Sequence, residues 1–127
     1  MKESVEKWMQ KAEEDFTTVQ ILLSNNEYAP SIVCFHCQQT TEKYLKAFLL
    51  FLNVDFPKSH DLLELLDNFI LPANSVFDEI REEAIILTDY AVDTRYLDFL
   101  FNPSKEIAKE AFDAAVKIRK LVLSEIK

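Results

Sequence analysis

Pro30-SIVCFHCQQTTEKYLKAFLLF-Leu52 is the stretch whose reading decides the fold. Wound at 100° per residue, it places Val33, Cys37, Tyr44, Phe48 and Phe51 on one apolar face. His36, Gln39, Lys43 and Lys46 form a narrow polar stripe on the other side, with Ile32, Phe35, Leu49 and Leu50 on or beside it. A helix apolar nearly all round belongs at the centre of a bundle or beneath a second subunit. Pro30 suits its first turn, where a missing N–H is no loss. Asn53 can end it, because Asn tolerates the left-handed conformation.

Outward from that helix the same period recurs. Before it, Val5, Trp8, Met9, Ala12, Phe16, Val19 and Leu23 share one arc, which predicts a helix from Ser4, as N-cap, to about Ser24, stopped by Asn25-Asn26. After it, a third helix is expected from His60 to about Ile70, capped by Ser59, carrying Leu62, Leu63, Leu65, Leu66 and Phe69, and ended by Pro72. A fourth spans Ser75 to Tyr90, with Phe77, Ile80, Ala84 and Leu87 inward and Glu79, Glu82 and Glu83 outside. Residues 91–103 read as irregular or as a fraying end. Ser104 caps a fifth helix to about Glu125, with Ile107, Ala111, Ala115, Ile118 and Val122 inward. Short connections favour antiparallel neighbours, so the expectation is an all-α, up-and-down bundle of about five helices forming one domain over residues 1–127.

Composition narrows the possibilities. There is no glycine among 127 residues, which disfavours hairpins and bulges and rules out P-loop and dinucleotide fingerprints. A net charge of −8 argues against a broad nucleic-acid-binding face, which needs basic surface to neutralise phosphates. The longest apolar run, Ala47 to Leu52, is too short to span a membrane, and no leader pattern follows the first charges. With two cysteines, the expectation is a cytoplasmic chain with reduced thiols.

Cys34-Phe35-His36-Cys37 has the redox C-x-x-C spacing, but the pair lies inside a helix and on its apolar side, so both read as buried thiols. No metal is expected: two Cys and two His fall short of a zinc set, and Val33 and Pro57 stand where a Glu-x-x-His site needs Glu. No cofactor is expected either. The stripe formed by His36, Gln39 and Lys43 is either a solvated face or, given its aliphatic flanks, a pocket or subunit interface. His60 reads as an imidazole bonding loop carbonyls, with Asp61 favouring the same helix start. Arg95 either pairs with Asp93 or Asp98 or faces an anion, with Tyr96 beside it.

Taken together, these pieces resemble the HEPN family (higher eukaryotes and prokaryotes nucleotide-binding domain). Trp8-x-x-x-Ala12-x-x-Asp15-Phe16 is similar to its opening helix. Cys37-Gln38-Gln39-Thr40-Thr41-Glu42-Lys43-Tyr44-Leu45-Lys46-Ala47 is similar to its central Q-Q-x-x-E-K-x-x-K-A signature. Ser59-His60-Asp61-Leu62 resembles its T-H-D-L turn, and Thr94-Arg95-Tyr96 its x-R-Y-P segment. The resemblance implies an antiparallel bundle that pairs as a homodimer and works beside a minimal nucleotidyltransferase in a toxin–antitoxin-like pair. It also implies, for many members, a metal-independent ribonuclease using Arg-x(4–6)-His. Here that motif is missing: the first Arg is Arg81, the last His is His60, and Tyr96 to Phe101 after Arg95 offer no histidine. The expected function is therefore non-catalytic binding of a nucleotide or nucleotidyltransferase partner through Gln39, Lys43, His60, Arg95 and Tyr96. The alternatives are a ribonuclease with a relocated site at His60 and a purely structural helical dimer.

Overall fold

The computed structural model describes residues 2–90 and 102–126. Five helices form an all-α bundle: α1 Glu3–Leu23, α2 Pro30–Phe51, α3 Leu62–Leu65, α4 Arg81–Thr88 and α5 Lys105–Glu125. The described residues include no strand.

Helix α2 is the axis. Thirteen of its 22 residues are buried, and α1, α3, α4 and α5 all pack on it. Val33, Cys37, Tyr44 and Phe48 lie in the core as their spacing predicts, with Phe51 partly buried beside them. Leu49, expected beside the polar stripe, is fully buried. Phe48 meets Phe77 at 4.5 Å between ring centroids, joining the middle of α2 to the segment before α4. Beyond Leu52 the chain turns at Asn53, whose φ of 58° is the positive value among described non-glycine residues. Asn25 and Asn26 stop α1 differently. Its last turn closes right-handed at Ser24, and the Asn25 amide donates to the Ile21 carbonyl at 2.9 Å.

Helix α1 meets α2 closely because Ala12 is small and fully buried at the crossing. There the Thr40 hydroxyl donates to the Ala12 carbonyl at 2.6 Å, a bond worth about 1 kcal/mol net. Arg119 ties the third long helix to both. Its Nε donates to Glu13 Oε1 at 3.2 Å and to the Tyr44 hydroxyl at 3.0 Å, and its guanidinium lies 4.6 Å from the Phe16 ring centroid. Burial, with the nearby Glu13 carboxylate adding to it, raises the Tyr44 phenol's pKa, so the hydroxyl stays protonated.

Several boundaries differ from the sequence expectation. Helix α1 opens at Glu3 after Lys2 without a side-chain cap, so Ser4 is not its N-cap. Ser59 accepts only from the Asp61 amide, at 3.0 Å, and Asp61 is the true cap of α3, accepting from Leu63 and Glu64. Two bonds to the Asp61 carboxylate, with the Ser59 hydroxyl accepting from the Asp61 amide, outcompete a helix begun at His60. The expected third helix is α only to Leu65 and then widens into a π-turn, Leu66–Ile70, with the Leu71 amide on the Leu66 carbonyl. With that extra residue Ile70, expected only as the helix end, is fully buried, while Phe69 is partly buried against the core.

The expected fourth helix begins as a 3₁₀ stretch, Ser75–Ile80, capped by Asn74, and becomes α only at Arg81. Phe77, Ile80, Ala84 and Leu87 face inward as predicted. Glu83 is half-withdrawn onto Lys117 rather than solvated. Ser104 caps α5 through the Ile107 amide, but Ile107 itself, expected inward, is 40% exposed, and Ala108 beside it is the buried residue. No helix among the described residues is long and apolar enough to cross a membrane.

Candidate functional site

Gln38, Glu42 and Lys46 follow one another at intervals of four along α2, so their side chains form a single row. All three are buried, although each carries charge or an amide. Such groups are tolerated only when their hydrogen-bonding capacity is met internally. Glu42 meets it with both oxygens. Oε2 accepts from Lys46 Nζ at 3.0 Å, Oε1 accepts from Gln38 Nε2 at 3.1 Å, and His60 Nδ1 lies 3.0 and 3.1 Å from the two. A carboxylate can only accept, so Nδ1 carries the proton and donates. The His60 ring is held there at the surface, with 56% of its side chain accessible. Gln38 also donates to the His60 carbonyl at 3.0 Å, and Gln39 donates to Gln38 Oε1 at 2.7 Å. The turn before α3 is thereby bolted to the middle of α2.

A second polar group lies one row over. Asp15 of α1 accepts from Lys43 and faces His36 Nδ1 at 3.2 Å. Burial alone would raise the Asp15 pKa, but the His36 and Lys43 contacts outweigh it and hold the carboxyl below its ordinary 3.8. Between the two groups Lys46 Nζ lies 5.7 Å from the Trp8 ring centroid, within cation–π range. Cys34 and Cys37 lie fully buried and unbonded to each other. Burial pushes the Cys34 thiol up to about 11 and Cys37 higher still, which suits inert thiols and not a redox pair. Among the described residues no group of three or more His, Cys, Asp or Glu is placed to hold a metal ion.

The family model of the HEPN domain matches residues 5–126. The chain belongs to the HEPN family. No curated protein and no solved structure matches it.

In this HEPN domain the described residues among those expected to form the site fall into two separate groups. Gln39 and His60 connect through Gln38 and Glu42, while Lys43 belongs to the Asp15 pair. His60 bonds a buried carboxylate and not loop carbonyls, and it precedes α3 instead of opening it. Arg95 and Tyr96, with Asp93 and Asp98, lie outside the described residues. Lys46, expected in the exposed stripe, is 6% exposed.

Sequence reasoning missed Glu42 and Asp15, the two carboxylates on which the HEPN cluster depends. The signal for Glu42 was present: a Glu-to-Lys pair four apart, in a helix apolar nearly all round, has little solvent to face. Asp15 had no local signal, because its partners come from another helix.

Proposed function

We propose that this HEPN domain is a cytoplasmic binding protein and not a nuclease, pairing as a homodimer. It presents Gln39, Lys43, His60, Arg95 and Tyr96 to a nucleotide or to a minimal nucleotidyltransferase partner in a toxin–antitoxin-like pair. The observation that carries this reading is the buried Glu42 carboxylate, which fixes His60 at the surface while Lys46 offsets its charge. A preorganised polar surface of this kind suits recognition, since the groups need no reordering when a ligand arrives. The absence of any Arg before a His supports binding over the family's Arg-x(4–6)-His chemistry.

The test is calorimetry against nucleoside mono-, di- and triphosphates, with co-purification of any co-encoded nucleotidyltransferase. Binding in either experiment is the expected result; none in both overturns the proposal.

One observation favours a ribonuclease reading. A histidine whose Nδ1 is held by a carboxylate and whose side chain is 56% accessible suits a general base. On that reading metal-free cleavage of RNA disappears in His60→Ala. An absence of cleavage by the wild type removes it.

A further inference from the structure

Basic charge gathers on one side of α1 in a chain whose net charge is −8. Lys7, Trp8 and Lys11 of α1 and Lys43 of α2 line a groove of about 250 Å³. Lys46 reaches the Trp8 ring as well, so four of the fourteen basic residues surround one indole. The four differ in how firmly they are held. Lys43 is committed to Asp15 and Lys46 to Glu42. Lys7 and Lys11 make only surface pairs with Glu3 and Glu14, and their side chains are 72% and 66% exposed. Pairs of that kind contribute about 0–1 kcal/mol. Both ammonium groups can therefore exchange those partners for an incoming anion of higher charge.

A partly exposed indole beside exposed ammonium groups is a recognisable chemical combination. The π face stacks a nucleobase, worth about 1–3 kcal/mol, and the lysines neutralise its phosphate. The groove is smaller than the roughly 300–1,000 Å³ of pockets that enclose a whole drug-sized ligand. With a single indole in its lining, it offers a stacking surface for one base. We infer that this groove is a mononucleotide site, with the base on Trp8 and a 5′-phosphate chain met by Lys7 and Lys11. The inference rests on the binding reading above and places the nucleotide's base and phosphates at the Lys43 end of that surface.

Trp8 is the chain's single tryptophan, so its fluorescence reports on the groove alone. The wild-type protein is titrated with AMP, ADP and ATP, with adenosine lacking phosphate and tripolyphosphate lacking a base. Saturable quenching by the adenosine phosphates is expected, with tripolyphosphate leaving the signal unchanged and adenosine quenching only weakly. Lys11→Glu and Lys7→Glu each weaken the nucleotide effect about tenfold, and added salt weakens it further. Lys120→Glu, on another face, leaves it intact. If calorimetry detects nucleotide binding that neither quenches Trp8 nor responds to Lys7→Glu and Lys11→Glu, the groove is the wrong place and the binding function survives. Equal quenching by tripolyphosphate and ATP overturns the stacked base. A wild type that binds no nucleotide by either method overturns the groove outright, and partner co-purification then decides the broader reading independently.

Discussion

Replacing Glu42 with alanine would leave the Lys46 ammonium, whose side chain is 7% exposed, without the carboxylate that neutralises it. Breaking a buried ion pair from one side costs about 3–5 kcal/mol. The His60 bond disappears too, while the Gln38 amide keeps the His60 carbonyl as a partner. Natural domains hold about 5–15 kcal/mol in total, so the variant loses about a fifth or more of a typical margin and melts about 10–20 °C lower. The double variant Glu42→Leu/Lys46→Met removes both charges and keeps the volume. It should lie within about 2 kcal/mol of wild type, above the single variant. Urea unfolding followed by circular dichroism at 222 nm gives all three free energies, and an unchanged m-value confirms that only stability has moved. A Glu42→Ala cost under about 1 kcal/mol, or a double variant no better than the single, would refute the picture of a mutually dependent buried pair.

The Asp15 carboxyl gives a pH signature. Its folded pKa lies below the ordinary 3.8, so the stability it contributes is present above that value and lost as pH falls through the folded pKa. Asp15→Asn should therefore be clearly less stable than wild type at pH 7, with the gap narrowing below pH 3.8 in urea titrations; a gap independent of pH contradicts this. For the two thiols, burial that raises both pKa values predicts no reaction with a thiol reagent at pH 7 over minutes and full labelling in urea. Fast native-state labelling of either would show that the α2 interior opens.

What the sequence disclosed follows from which forces are local. The 3.6 period of α1, α2 and α5 is a local property, and those helices appear within a residue or two of their expected ends. The Ser104 cap and the Asn53 turn were legible for the same reason. The π-turn after α3 and the 3₁₀ start before α4 were not. They arise because Ile70 and Phe77 must both reach the core over short segments, a tertiary demand invisible to a helical wheel. In the candidate site, Lys43 and His60 were found as residues, but their partners were hidden. Asp15 lies 28 positions from Lys43, and Glu42 lies 18 from His60. A charge looks solvated along the chain until the neighbouring helix is known to cover it.

The left-handed turn at Asn53 bears on the unfolded chain as much as on the folded one. A protein that bends there without glycine has no residue able to roam both halves of backbone conformational space freely. Its denatured ensemble is correspondingly stiffer, and each residue surrenders less disorder on entering the bundle. Part of the margin that lets this domain shelter an ion pair at its centre can thus originate outside the native structure, in states the chain never visits.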